Sequence, residues 1–567
     1  MKRISPRFRI LVSVLAVSCL TGLFFTNCAE STFTAVEPDK TGADPLLELA
    51  WHINNTAQKV FSTTAGEVGN DLNLLQTWSS GYSGKGLSIL VSDDGVEDTH
   101  EDLKKNFLYG VSKDYTLASP WTASAAAPKV ANDNHGTAVS GLIAAVASNG
   151  VGTKGVAFGA GIASANFLSE AAGYSDAILV SQAEGNFDLF NMSWGSSQNN
   201  LSTVSSNFQA QLKSKAINGR SGKGSLIVKA AGNDFFVKCR GSSTEYCVGN
   251  ANFDSDNSTP YTLLAGALNA EGYAASYSSP GSNIWVSSFG GEFGDDSPAM
   301  VTTDRMGCSK GFSASNVTSD VAFEKGANGN SACSYSVTFN GTSAATPVLT
   351  GAIALILEAN PNLTWRDVKY ILAKTAVPVN YVTTGTVPHP MDTTPAGYAW
   401  EQPWIQNGAG FKFHNWYGFG KVDVDAAVSL ARNYTSPFGA FTETNWSDTS
   451  GGISVGIPDN AAAGGSSVII VNTPNIKIES VQIRVWVTHA NISELALELI
   501  SPSGKKSIIV NARNSLTGLA NYTGQTFLTN AFYQETTQGA WTLKVVDAKS
   551  GNSGTLTQWS INFTGSY

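Results

Sequence analysis

Two hydrophobic rhythms divide the chain. Between 44 and about 434, short apolar β-type runs at 86–91, 187–192, 225–230 and 261–268 alternate with helical runs at 138–147 and 351–358. That alternation predicts an α/β domain with a mostly parallel sheet. The stretch 363–372 reads as a capped helix, with Thr364 as N-cap and Asp367 three residues on. After Ser436-Pro437-Phe438-Gly439, which opens a linker over 435–452, the helical runs stop. Strand-like segments follow at 468–471, 478–487, 496–499, 506–510, 541–546 and 558–563, separated by turns. They predict an all-β antiparallel sandwich over 453–567.

Bulk properties agree with this division. The 567 residues exceed what one core usually organises, and 42% hydrophobic with 14% charged residues is ordinary for a folded protein. A net charge of −9, with no Lys/Arg cluster beyond the amino terminus, argues against a nucleic-acid partner. The amino terminus adds a compartment. Met1-Lys2-Arg3, with Arg7 and Arg9, precedes an apolar run from Ile10 to Phe25, the pattern of a secretory signal over 1–28, followed by a short segment 29–43. A membrane anchor needs about 20 apolar residues, and this run is shorter and interrupted by Ser13, Ser18 and Gly22. The chain is expected to be exported, either secreted or associated with the cell envelope. Cys19 and Cys28, at or after the run, leave open a lipoprotein-type anchor, the one route by which a membrane would enter. Of the remaining cysteines, closeness in sequence favours Cys239 with Cys247 and Cys308 with Cys333 among the possible pairings.

The candidate chemistry sits at element ends. Phe339-Asn340-Gly341-Thr342-Ser343 puts one serine between a glycine turn and the apolar run 348–357. A lone serine is inert at neutral pH and needs a histidine base and an orienting carboxylate. Asn134-His135-Gly136-Thr137 opens the run 138–147, and Ile89-Leu90-Val91-Ser92-Asp93-Asp94-Gly95 reads as a buried strand ending in an acidic turn. The chain order is therefore Asp, His, Ser, and the three segments together resemble the subtilisin superfamily. The resemblance implies a triad of Asp93, His135 and Ser343. Strand alternation is expected to send the adjacent Asp94 the opposite way from Asp93, and in the family the first of the two acids is catalytic.

The second region sharpens the resemblance. Ile457-Pro458-Asp459-Asn460, Val487-Thr488-His489-Ala490, Leu499-Ile500-Ser501-Pro502-Ser503-Gly504, Gly539-Ala540-Trp541-Thr542-Leu543 and Gly551-Asn552-Ser553-Gly554-Thr555-Leu556 resemble the P domain of kexin- and furin-like convertases. Asp93-Asp94-Gly95 followed by His100-Glu101-Asp102-Leu103, then Asn191-Met192-Ser193-Trp194-Gly195, look like the same branch. This likeness implies a peptidase domain over 44–434 and a P domain over 453–567.

Other expectations rest on the resemblance alone. Asn233, in Ala230-Ala231-Gly232-Asn233-Asp234, would donate its amide to a developing oxyanion beside the Ser343 N–H. Ser193, Trp194 and Gly195 would pair with an extended peptide substrate. Dibasic-specific convertases carry an acidic run after that element, whereas Ser196-Ser197-Gln198-Asn199-Asn200 follows here and 248–253 carries no acid, with Asp254 the next residue after it. An uncharged pocket is expected, with Asp94 and Asp176 left at acidic subsite positions, and strict cleavage after paired basic residues is not expected. Asp44, Asp102, Val146, Asn149, Val151 and Thr153 match the family's Ca²⁺ ligands, while Ser279 stands where a second calcium site has a glutamate. Subtilases usually carry a folding prodomain after the signal, for which 29–43 has no room, so a separate chaperone or the P domain is expected to assist folding. The implied activity is that of a calcium-stabilised serine endopeptidase acting on peptide or protein substrates through an acyl-enzyme. The alternative from another class is a catalytically silent binding or adhesion protein on a protease scaffold; the intact set of Asp93, His135, Ser343 and Asn233 favours the enzyme.

Overall fold

The computed structural model describes residues 42–567 apart from 203–204, 236, 240–245, 380–396 and 400. The expected signal over 1–28, with Cys19 and Cys28, lies outside the described residues. Runs such as Leu189–Met192 and Leu226–Ala230 are buried at every position, as strands must be when both sheet faces are covered. They form one sheet with the order Ile284–Phe289, Leu263–Leu268, Leu226–Ala230, Leu189–Met192, Ser88–Ser92, Gly161–Ala165, Ser112–Lys113 and Thr122–Ala123. Every pairing is parallel except the last. Ser88–Ser92, Leu189–Met192 and Leu226–Ala230 are therefore neighbours whose carboxyl ends share one edge, where open α/β sheets place their sites.

Two helices complete that edge. Thr342–Ala359 is buried along nearly its whole length, and His135–Ala144 packs against it. The helix Trp365–Thr375 opens with the expected capping box of Thr364 and Asp367. Disulfides join Cys239 to Cys247 and Cys308 to Cys333, the pairing favoured by closeness in sequence.

Beyond 434 the fold is all-β. Lys477–Thr488 pairs with Gly554–Ser566 and Tyr522–Thr529 in one sheet, and Gly465–Val471, Gly539–Asp547, Leu495–Ile500 and Lys506–Val510 form the other. Alternate residues Val481, Ile483, Val485 and Val487 point into a core shared with Trp541, Trp559 and Phe563. The stretch expected as a linker is partly sandwich. Thr442–Glu443 and Ser447–Asp448 pair with the last strand, because its length leaves edge to be covered.

The sandwich is docked on the α/β region by polar anchors as well as by the connecting chain. Arg366 binds Glu479 through Nε at 2.8 and 3.0 Å and through Nη2 at 2.5 Å. Asn530 Nδ2 donates to the Asn283 carbonyl at 2.8 Å, and the Ser515 hydroxyl donates to the carbonyl of Gln198.

Candidate active site

Asp93 is the first residue after the strand Ser88–Ser92 and is 1% exposed, with its oxygens 2.9 and 3.0 Å from His135 Nδ1. That geometry holds the imidazole in one orientation and tautomer. Asp94 does not turn away. Its oxygens accept from the backbone N–H groups of His135 at 2.9 Å and Gly136 at 2.7 Å, satisfying two orphan donors at the start of the helix. Alternation fails here because the strand has ended at Ser92, so both acids converge on the same helix end. The approach is close enough that a Cβ on Gly136 would lie 2.3 Å from the Gly95 carbonyl oxygen. Burial opposes charge on the partly exposed His135, but the carboxylates of Asp93 and Asp94 outweigh it and raise its pKa. Burial, then the charge of Asp93, pushes Asp94 up to about 7.

Ser343 is the second residue of the helix Thr342–Ala359, after Gly341 at φ +102°. Its hydroxyl donates to the Ser193 carbonyl at 3.1 Å, and among the described residues no hydrogen bond joins it to His135. Asn233 follows the neighbouring strand. Its Oδ1 accepts from the N–H and hydroxyl of Thr342 at 2.8 and 2.9 Å, which leaves the amide nitrogen as the available end. The Thr342 hydroxyl also accepts from the Gly232 N–H at 3.2 Å. Thr342 thus positions Asn233, a role whose only sequence signal is its place beside Ser343.

Ser193, Trp194, Gly195, Asn233 and Ser343 line one pocket of about 230 Å³. The expected acids Asp94 and Asp176 do not line it. Asp94 is spent on the helix start, and Asp176 is exposed on another helix, where Ser205 and Asn207 donate to it. Nor is the pocket uncharged, because the fold brings Asp234 and Asp254 into its wall. Asp254 Oδ2 accepts from the Ser196 N–H at 3.1 Å and from Lys229 Nζ at 2.9 Å. Asp234 accepts from the Gln198 N–H at 2.9 Å and donates its own N–H to Ser279 Oγ, so Ser279 builds the pocket turn. Burial raises the Asp234 carboxyl. In the sequence the signal for the pairing with Asp254 is Lys229, the one charge in an otherwise apolar strand.

The calcium-type residues also meet. Asp44 accepts from the N–H groups of Ser148 and Asn149 at 2.8 and 3.0 Å, and Asp102 accepts from Asn149 Nδ2 at 2.8 Å and the Thr153 N–H at 3.1 Å. Burial, with the nearby charges of Asp44 and Glu101, pushes Asp102 up to about 7. Among the described residues the buried Thr153 hydroxyl has no hydrogen-bond partner. Two buried acids and an unsatisfied oxygen beside an oxygen-rich loop fit a hard dication.

The Subtilase family matches residues 84–420, and the proprotein convertase P-domain matches 478–563. The extracellular serine protease of Aeromonas sobria is 34% identical over 90% of this chain and 85% of its own length. Neuroendocrine convertase 2 of Rattus norvegicus is 28% identical, with coverage of 92% and 74%. Bovine furin is 27% identical over 91% of this chain, which spans 57% of furin. A crystal structure of the Aeromonas sobria protease in complex with a chaperone superposes with a TM-score of 0.84 at 30% identity, over 93% of this chain and 96% of that one.

Proposed function

The chain belongs to the subtilase family of serine proteases and carries a convertase P-domain; from that premise we propose an exported endopeptidase that cleaves through Asp93, His135 and Ser343. Ser343 Oγ turns from Ser193 toward His135 Nε2, gives up its proton and attacks the scissile carbonyl. His135 then hands that proton to the leaving amine, while Asp93 and Asp94 favour the imidazolium. The amide of Asn233, held from behind by Thr342, and the Ser343 N–H receive the oxyanion. The ends of the strands behind Ser193, Trp194 and Gly195 offer backbone to an extended peptide. The observation that supports this reading is the oriented Asp93–His135 pair at the same sheet edge as Ser193, whose carbonyl takes the Ser343 hydroxyl, and Asn233, which Thr342 holds. Strict dibasic cleavage is not expected: no acidic run follows Ser193-Trp194-Gly195, and the two acids the fold brings into the pocket wall, Asp254 and Asp234, already accept hydrogen bonds from within the chain. The test is a diverse peptide library digested by the wild type and by Ser343→Ala, with cleavage sites mapped by mass spectrometry. Cuts that depend on Ser343 support the enzyme; identical maps from two folded proteins would put the binding-scaffold reading first.

Calcium is proposed as a structural ion held by Asp44, Asp102, the carbonyls of Val146 and Val151, Asn149 and Thr153. An ion bound only by the folded state stabilises it by about 2.7 kcal/mol at a hundredfold excess over Kd. Chelation by EGTA should therefore lower the melting temperature of the wild type by several degrees and leave Asp102→Ala unmoved. Equal melting of the wild type with and without Ca²⁺ would remove the ion from the proposal.

A folding chaperone is the proposed partner, supported by the Aeromonas sobria relative whose crystal structure contains one. Denatured chain refolded alone should recover little activity. Full recovery without any partner would refute the requirement.

A further inference from the structure

The strand Leu226–Ala230 is buried at every residue, yet its fourth residue is Lys229. A fully buried lysine persists only when its charge is met. Lys229 Nζ donates to Asp254 Oδ2 at 2.9 Å and to Asn257 Oδ1 at 2.8 Å, and lies 4.9 Å from the Trp194 ring centroid. The lysine and aspartate side chains are 0% and 1% exposed. Their position ties them to the pocket. A Cβ on Gly195 would lie 2.8 Å from Asp254 Oδ2 and 3.4 Å from Lys229 Nζ, so both charges sit directly behind the segment that would hold the substrate.

The Asp254 carboxylate is fully engaged by its own chain. Oδ2 takes Lys229 and the Ser196 N–H, and Oδ1 takes the Asp256 N–H at 3.2 Å. A basic substrate side chain entering this pocket meets in Asp254 a wall acid already paired, with the ammonium of Lys229, of its own sign, buried directly behind the wall, an unfavourable juxtaposition. An uncharged side chain meets no such conflict. Asp234, the other acid in the wall, is half-buried and accepts from the Gln198 N–H.

We infer that Lys229 determines specificity: it fills from within the chain the cation position opposite Asp254, so that the enzyme cleaves after uncharged residues and discriminates against lysine and arginine at that position. This rests on the endopeptidase reading above. The experiment uses the full chain in Ca²⁺ and a set of internally quenched peptides identical except for the residue before the scissile bond, which is Met, Gln, Lys, Arg or Glu. The wild type should show kcat/KM for Met or Gln at least about tenfold above Lys and Arg, the scale of a modest like-charge penalty. Lys229→Met uncovers Asp254 and should raise the Lys/Met ratio of kcat/KM by tenfold or more. Asp254→Asn leaves the ammonium unpaired and should instead raise the Glu/Met ratio. The two variants read the same pair with opposite sign, so one that fails to fold leaves the other decisive. A wild type that prefers Lys or Arg overturns the inference, as do folded, active variants whose ratios stay at the wild-type values. Absence of any Ser343-dependent cleavage is a different outcome: it removes the endopeptidase reading on which the inference stands.

Discussion

Replacing Ser343 by alanine is expected to lower kcat by about 10⁶-fold, and adding His135→Ala to that variant to lower it no further. In subtilisin, losing the nucleophile or the base alone costs about as much as losing the whole triad, because neither accelerates attack without the other. The proposed mechanism carries the same dependence here. His135 is clamped by Asp93 at 2.9 and 3.0 Å, and the Ser343 hydroxyl, which donates to the Ser193 carbonyl, would have to turn to the base. Asn233→Ala belongs to a separate contribution and should cost about 10²–10³ in kcat, the usual loss for one oxyanion donor. The check is initial rates on one quenched peptide, with circular dichroism to show each variant folded. A double variant that loses a further factor of about 10³ beyond Ser343→Ala would mean that the two residues act independently, contrary to the coupled mechanism.

What the sequence disclosed about this site follows how local each signal is. The places of Asp93, His135 and Ser343 at element ends are legible because each is announced by its own neighbours, and the Thr364–Asp367 box because it is complete within four residues. The direction of Asp94 is not, since it depends on the strand ending one residue before Asp93 and on the distant Gly136 helix start lying close enough to be capped. The arrival of Asp254 in the pocket wall is nonlocal for a related reason. Asp254 reaches the wall only because its loop folds back against Ser196 and Lys229, contacts separated by 58 and 25 residues. In the sandwich, Tyr522–Thr529 escaped detection because Thr523-Gly524-Gln525-Thr526 carries no apolar alternation. That strand is held by its pairing with Lys477–Thr488.

Glu479→Ala is expected to destabilise the protein by about 3–5 kcal/mol, the cost of leaving a buried charge without its partner. Arg366 and Glu479 are only 7% and 5% exposed, and the guanidinium, besides its carboxylate bonds, donates to the Gly439 carbonyl at 2.8 Å and faces the Phe438 ring at 4.6 Å. With Glu479 gone, that cation stays enclosed by aromatic and backbone groups. Removing both charges together, as Arg366→Met with Glu479→Met, should cost much less, because no orphan remains. The loss should also reach the active site. Arg366 belongs to the α/β region and Glu479 to the sandwich, and the docked sandwich supplies Ser515, whose hydroxyl holds the Gln198 carbonyl. Gln198 in turn donates its N–H to Asp234 and its side-chain amide to the Ala231 carbonyl at 2.7 Å, fixing one wall of the pocket. A loosened sandwich should therefore raise KM more than it lowers kcat, since it disturbs the pocket wall and leaves the Asp93–His135 pair untouched. Thermal melts and steady-state kinetics on the single and double variants would check both effects. An unchanged melting midpoint in Glu479→Ala would show that this pair contributes nothing to docking, and a fall in kcat at constant KM would show that docking acts on the catalytic residues rather than through Gln198.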